Sequence, residues 1–331
     1  MAKITILGAG GFGVSLAIAA YQNQHQVTVW DISEEIVQAI LRDGEHKTKL
    51  PGVKIPKGIG FTTDPHCMEN SDMVVFVVPS LFIRSVAQRV KPFLTKDTIL
   101  VNASKGLEEE TFLTMSQIIQ SEYPENAVGV ITGPSHAEEV GRGVPTTVVA
   151  ASKNEAAAVQ IQEVFSSHTL RIDINADPVG WEIGGALKNI IALAAGICDG
   201  LHCGDNTKAA LMTRGIHEIT NLGVKMGGKP ETFGGLSGIG DLIVTCCSIH
   251  SRNRRAGILI GEGTSPQDAV KPVGTVEGYY CCHAAWALAQ KHGVSMRITE
   301  QLYHILFDGA DPKQALDNLM SRPKKHEYEK F

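Results

Sequence analysis

The chain has no surplus of positive charge: 30 lysines and arginines stand against 35 aspartates and glutamates, a net charge of −5 over 331 residues. That excludes a broad basic face for nucleic acid or anionic lipid, so any bound anion must be held by a few placed cations. No C-x-x-C occurs, the cysteine count of seven is odd, and Cys246-Cys247 and Cys281-Cys282 are vicinal pairs, which argues against both a disulfide framework and a zinc knuckle. Cys246 with His250, or Cys282 with His283, make poor metal ligands on paper, because buried cysteine ordinarily behaves as a small hydrophobe. No metal is expected. Long apolar runs are missing too: the stretch over 190–195 is far too short to span a bilayer, and neither a charged leader nor an apolar targeting segment precedes Lys3. The expectation is a cytoplasmic protein without integral membrane association and without a nucleic-acid partner.

With 43% hydrophobic and 20% charged residues, the chain has the composition of an ordinary globular protein long enough for two cores. Up to about residue 175, apolar strand-like runs alternate with helical patterns, the signature of a parallel sheet wrapped by helices. Strand-like runs lie over 4–7, 27–30, 73–78, 99–101, 128–131, 146–149 and 169–172. Beyond Asp177 strand signals vanish, and apolar residues recur at three- and four-residue spacing over 179–197, 209–224 and 276–289. We therefore expect an α/β domain over 1–176 and an all-α domain over 177–331. The segment 44–60 reads only as a long polar connection, and 322–331 as a loosely ordered polar tail.

The first strand runs directly into Gly8-Ala9-Gly10-Gly11-Phe12-Gly13 and then an apolar helical stretch. This is G-x-G-x-x-G in its proper setting, with strand before and helix after. One glycine allows the tight turn, the next lets backbone approach a pyrophosphate, the third lets helix pack on strand, and the helix start supplies N–H donors and positive dipole. A dinucleotide belongs here. The second strand ends at Asp31, about 20 residues past the glycines, where a carboxylate bonds the adenosine ribose hydroxyls and repels a 2′-phosphate. That favours NAD over NADP. The alternative is that Asp31 caps the helix beginning near Ser33, with Glu34 completing a capping box.

Ligands of open α/β sheets gather beyond the carboxyl ends of the strands, which points to Pro79-Ser80, to the run from Asn102 through Ser104-Lys105-Gly106, and to Gly133-Pro134-Ser135. In the helical half, Lys188 is a lysine embedded in an apolar helix, beside the stripe of Leu187, Ile191 and Ala194. A desolvated ammonium, or one next to another cation, has a lowered pKa and becomes a usable acid; the alternative is a lysine snorkelling to the surface. Asp241 ends a run from Gly234 too glycine-rich for a helix interior, and its carboxylate either orients Lys188 or caps the following helix. Ser251-Arg252-Asn253-Arg254-Arg255 offers forked guanidinium donors, an amide and a helix start, a match for phosphate, unless it is merely a solvated charged turn. A dinucleotide domain followed by a helical domain supplying a proton donor and substrate grips suggests a hydride-transfer enzyme.

Taken in order, Gly8 to Gly13, Val78-Pro79-Ser80, Ser104-Lys105-Gly106-Leu107-Glu108, Gly133-Pro134-Ser135, Gly185-Ala186-Leu187-Lys188-Asn189, Gly240-Asp241-Leu242, Ser251-Arg252-Asn253-Arg254 and Val276-Glu277-Gly278-Tyr279 make the chain resemble the bacterial NAD(P)-dependent glycerol-3-phosphate dehydrogenases. The resemblance spans nearly the whole chain. It implies a Rossmann-like dinucleotide domain and a helical substrate and dimerisation domain like that of 6-phosphogluconate dehydrogenase. It also implies interconversion of dihydroxyacetone phosphate and sn-glycerol 3-phosphate for phospholipid synthesis, and a homodimer. Carried over by position, Lys188 is the proton-transferring lysine and Lys105 grips substrate near the nicotinamide. Gly133, Ser135, Asn189, Asp241, Ser251, Arg252 and Asn253 face substrate, while Ala137, Arg252, Thr275 and Glu277 lie at the cofactor with the glycine loop. Two positions depart from the pattern. Gly11-Phe12 lacks a serine hydroxyl found in many relatives, and Asp31-Ile32-Ser33 stands where NADP-preferring relatives carry a basic residue. Other readings are another two-domain hydroxy-acid dehydrogenase, or a non-catalytic NAD-sensing protein, which would need no Lys188, Lys105 or Asp241.

Overall fold

The computed structural model describes residues 1–324, so the end of the polar tail lies outside the described residues. The chain forms two compact units. The first comprises residues 1–105 and 114–178; the second takes the short insertion 106–113 together with the chain from Val179 onward. The division thus falls just past the expected 176/177, and an eight-residue loop of the first half groups with the helical half.

The first unit is built on eight strands: β1 Lys3–Leu7, β2 Gln26–Trp30, β3 Gly60–Thr62, β4 Met73–Phe76, β5 Ile99–Asn102, β6 Val128–Thr132, β7 Thr146–Ser152 and β8 Leu170–Asn175. They lie in the order β3-β2-β1-β4-β5-β6-β7-β8. Ile4 sits opposite Val27 on one side and Met73 on the other, and β4 and β5 are buried at every position. Uninterrupted apolar sequence is what a strand covered on both faces requires. Helices α1 Gly11–Gln22, α2 Glu34–Asp43, α3 Ile83–Val90, α4 Met115–Glu122, α5 Ala137–Gly141 and α6 Glu155–Phe165 belong to this unit. The first six strands are parallel, as expected, but β6 pairs with β7 antiparallel, Ile131 opposite Ala150, which corrects a wholly parallel sheet. The unassigned segment 44–60 is ordered. Gly44 ends α2 in the left-handed region, Leu50 is fully buried, and the segment delivers the short edge strand β3.

The second unit contains α7 Pro178–Gly200, α8 Asp205–Lys225, α9 Pro230–Phe233, α10 Asp241–Cys247, α11 Arg252–Gly261, α12 Pro266–Val270, α13 Glu277–His292, α14 Arg297–Phe307 and α15 Pro312–Met320. Helix α7, 23 residues long, is by length and composition apolar enough to cross a bilayer, although its longest uninterrupted apolar run is short; nearly all of it is buried inside the unit. A helix apolar on every side is a core helix here. Its close neighbour is α11. A Cβ added at Gly196 would strike the Arg254 carbonyl, and at Gly200 the Ile258 carbonyl. From the other side, Gly257 lies against the Leu193 carbonyl and Gly261 against that of Ile197. Four glycines thus bring two helix backbones together.

The run before Asp241 is helical after all. Leu236–Gly240 forms a single π turn, closed by the Gly240 amide on the Gly235 carbonyl at 3.2 Å. Such wide turns cluster where a side chain must be re-aimed, and this one leads into α10. The Ser237 hydroxyl docks it on α7 by donating to the Trp181 carbonyl at 2.6 Å.

Glu218 of α8 caps a neighbouring helix: its carboxylate accepts from the Ile298 amide at 2.8 Å and the Thr299 amide at 3.3 Å, at the start of α14. Burial raises its carboxyl from the ordinary 4.5 to about 7, although those amides pull the other way. The folded chain therefore holds this proton through a range where the unfolded chain has released it. The stabilisation is complete below about pH 4.5 and fades as pH rises towards 7, an effect on the order of 3 kcal/mol. Denaturant titrations between pH 4.5 and 8 should show stability falling in that window for the native chain and a visibly flatter profile for Glu218→Gln.

Candidate active site

The glycine loop sits between β1 and α1. Gly8 takes φ +111°, donates its amide to the Trp30 carbonyl at 2.8 Å, and has no room for a Cβ, which would lie 2.9 Å from the Val77 carbonyl. Gly13 packs directly on the Gly8 carbonyl. Between them Gly10 is the N-cap of α1, with no side-chain acceptor over the helix start and nothing within 4 Å of a built Cβ. An uncapped helix start with open space before it suits a pyrophosphate, so the residues present fit a dinucleotide. Phe12 is half-buried against the core of this unit. A Cβ on Gly11 would lie 2.7 Å from the Lys49 carbonyl and 3.2 Å from the Ala137 methyl. Ala137 is therefore beside the loop, and its carbonyl accepts from the Ser15 hydroxyl at 2.8 Å.

Asp31 does not cap α2. Ser33 does, its hydroxyl accepting from the Ile36 amide, while Glu34 is bonded to Gln38 and Thr63 instead of closing a capping box. The Asp31 carboxylate accepts from the Ala9 amide at 2.7 Å and the Ser33 amide at 2.9 Å, which ties it to the glycine turn itself. Each oxygen keeps a lone pair for a ribose hydroxyl.

Beyond β5, Asn102 bonds both the amide and the carbonyl of Ser104, and the Ser104 hydroxyl donates to the Val78 carbonyl. These bonds fix the loop that presents Lys105. Its ammonium donates to the Gly133 carbonyl at 3.1 Å, and the Ser135 hydroxyl donates to the same oxygen at 3.0 Å. Gly133 takes φ +142°, and a Cβ added there would lie 3.0 Å from the Val148 Cα, so the position has no space for a side chain. Lys105, Gly133 and Ser135 are thus one cluster.

In the helical unit Lys188 is buried, which removes the snorkelling alternative. Its ammonium donates to the Asp241 carboxylate at 2.6 Å and to the Thr245 hydroxyl, with side-chain exposures of 6% and 2% for the ion pair. Asp241 is the first residue of α10, and Gly240 occupies the cap position. The Asp241 carboxylate meets Lys188 instead of capping the helix. The Thr245 hydroxyl also donates to the Asp241 backbone carbonyl at 2.6 Å. Thr245 was not anticipated, although its place four residues after Asp241 on one helix face carries the signal.

Next to Lys188 on α7, Asn189 accepts from the Asn253 side-chain amide at 2.9 Å, and the Asn253 Oδ1 accepts from the Gly278 amide at 2.8 Å. This chain of bonds links α7, α11 and the start of α13, where Glu277 is the first helical residue and Thr275 lies just before it. Ser251 caps α11 by accepting from the Arg254 amide at 3.2 Å. The arginine cluster divides. Arg252 and Arg255 are exposed, whereas Arg254 donates to Asp199 at 2.7 Å, a carboxylate that also holds Lys208 at 2.5 Å. Arg254 is thus part of the scaffold. Cys282 donates to the Thr299 carbonyl at 3.8 Å, and among the described residues no group of three or more His, Cys, Asp or Glu is placed to hold a metal ion.

Two family models cover the chain. The N-terminus of NAD-dependent glycerol-3-phosphate dehydrogenase matches residues 3–158, and the C-terminus of the same family matches 177–317. The chain belongs to this family. It is 47% identical over 335 residues to glycerol-3-phosphate dehydrogenase [NAD(P)+] of Fusobacterium nucleatum, with all of both chains covered. It is 50% identical over 329 residues to the Moorella thermoacetica enzyme of the same name, covering 99% of this chain and 98% of that one. The crystal structure of glycerol-3-phosphate dehydrogenase from Coxiella burnetii superposes with a TM-score of 0.93 at 36% identity, over 97% of this chain and 99% of that one. A Rossmann-like sheet followed by an all-helical half is the architecture of the family's structures.

Removing one member of a buried ion pair strands the other. Lys188→Met should therefore lower stability by about 3–5 kcal/mol, whereas Lys188→Met with Asp241→Leu, which removes both charges, should recover most of it. Urea unfolding midpoints of the two variants against the native chain check this; equal losses in both would show that the pair's charges are not what matters.

Proposed function

We infer that the chain is an NAD(P)-dependent glycerol-3-phosphate dehydrogenase interconverting dihydroxyacetone phosphate and sn-glycerol 3-phosphate, at the start of phospholipid synthesis. The observation that carries the mechanism is the buried Lys188 ammonium, directed by Asp241 and Thr245. When bound, the dinucleotide supplies or accepts the hydride at C2 of the substrate. Lys188 delivers the proton to the oxygen on C2 as negative charge develops there, in surroundings where an ammonium is worth far more than in water. Asp241 and Thr245 aim it. Lys105, steadied by the Gly133 carbonyl, grips substrate with Ser135.

Arg252, Asn253 and the amides at the start of α11 take the phosphate, with Ser251 holding that helix start in shape and Asn189 holding Asn253. Binding energy remote from C2 is thereby turned into geometry at the reacting atom. On the cofactor side the glycine loop from Gly8 to Gly13 takes the pyrophosphate, Ala137 lies at its flank, and Thr275, Glu277 and Arg252 complete the cofactor contacts. Asp31 supports a preference for NAD, since it offers acceptors to a ribose hydroxyl and repels a 2′-phosphate. A cytoplasmic place is supported by seven cysteines that are all free thiols, and the family resemblance implies a homodimer.

A spectrophotometric assay with dihydroxyacetone phosphate, comparing NADH and NADPH at equal concentration, should show turnover with both and faster turnover with NADH. The Lys188→Met, Asp241→Leu double variant should lose roughly two to four orders of magnitude in turnover while binding NADH like the native chain; native turnover would remove the proton-donor role. Arg252→Ala should raise the KM for dihydroxyacetone phosphate roughly tenfold or more, and an unchanged KM with weaker NADH binding would move Arg252 to the cofactor alone.

A further inference from the structure

Helix α7 ends in a Schellman turn. The Leu201 amide makes the last ordinary helical bond, to the Ile197 carbonyl at 2.9 Å. The His202 amide then bonds back to the Asp199 carbonyl at 3.0 Å and the Cys203 amide to the Cys198 carbonyl at 2.8 Å. His202 sits in the left-handed region at φ +58°, as the residue after the cap must. In this motif the residue two past the cap packs on the residue three before it, and the contact is ordinarily between two hydrophobic side chains. Here those two positions are Cys203 and Cys198, so the turn sets their side chains against one another.

The geometry points to a redox modification site: we propose that Cys198 and Cys203 form a reversible disulfide across the C-terminal turn of α7 when the protein meets a hydroperoxide. The two thiols are not equivalent. Cys198 is buried, and burial pushes its thiol up to about 12, whereas Cys203 is half-exposed at the mouth of the turn. Cys203 is therefore the attacking group. Its thiolate takes the terminal oxygen of hydrogen peroxide, the O–O bond breaks, and the departing hydroxide picks up a proton to leave as water, with Cys203 as the sulfenic acid. The Cys198 sulfur then attacks the Cys203 sulfur. The S–S bond forms, the S–OH bond breaks, and the hydroxyl leaves as a second water with the Cys198 proton. Two thiols lose two electrons and two protons to the peroxide. Cysteine pairs that oxidise in a reducing compartment are characteristically of this transient, sensing kind. Asp199, which ties Lys208 and Arg254 to this corner, lies between the two sulfurs in sequence, so the bond would fasten the turn on which those two contacts depend.

Trypsin places both sulfurs, and no other cysteine, on the fragment 189–208. The full-length chain treated with hydrogen peroxide under native conditions and then alkylated should give this fragment two hydrogens lighter and unalkylated, and dithiothreitol should restore two alkylation sites. In Cys198→Ser, Cys203 should stop at the sulfenic acid and become trappable by dimedone, an adduct absent from the native chain. The proposal is overturned if the fragment keeps two alkylatable thiols while peroxide marks Cys246-Cys247 or Cys281-Cys282. It is equally overturned if Cys203 of the native chain runs on to the sulfinic acid with Cys198 still alkylated.

Discussion

An ammonium with almost no contact with water governs the helical half of this protein. Burying a charge costs several kcal/mol even after relaxation, a cost offset where Asp241 meets Lys188 at 2.6 Å and the Thr245 hydroxyl accepts a second hydrogen bond from it. The partners must arrive from a different part of the chain, and the π turn over Leu236–Gly240 brings them. Ser237 anchors that turn to α7 seven residues ahead of Lys188, and α10 then starts with its first carboxylate facing the amine. An amine whose position is set by backbone docking has little conformational freedom left to lose.

The glycine crossing of α7 and α11 complements this arrangement. With no Cβ between them, the backbones approach until carbonyl oxygens lie where side chains would be, and the Asp199–Arg254 contact adds a charge-assisted bond beside the crossing. The start of α11 is consequently held at a fixed distance from Lys188, with Asn253 bonded both to Asn189 and to Gly278. Rigid elements hold reacting groups more accurately than loops do. Here the elements are two helices whose close approach is written in Gly196, Gly200, Gly257 and Gly261.

Much of this was legible in the sequence. The glycine fingerprint, the buried strands and the three long helices follow from spacing and periodicity, because each depends on local pattern alone. Lys188 and Asp241 stood out as polar residues in apolar or glycine-rich company. What escaped was set by tertiary contact. The antiparallel β6–β7 pair has no mark in the strands themselves, and the segment 44–60 is ordered by burying Leu50 instead of by any period of its own. The insertion 106–113 changes allegiance because Leu107 is buried in the helical core. Arg254 looked like a phosphate ligand because nothing local reveals Asp199, 55 residues away, as its partner.

Asp31 has a consequence for how this lineage can diversify. The carboxylate that would meet the adenosine ribose is also the acceptor for the Ala9 amide inside the glycine turn. Under the proposed cofactor reading, recognition of one nucleotide over the other and the shape of the glycine turn share a single side chain. Drift at this codon towards a small or basic residue unfastens the turn at the same time, so a lineage that switches nucleotide must first evolve a second acceptor for that amide.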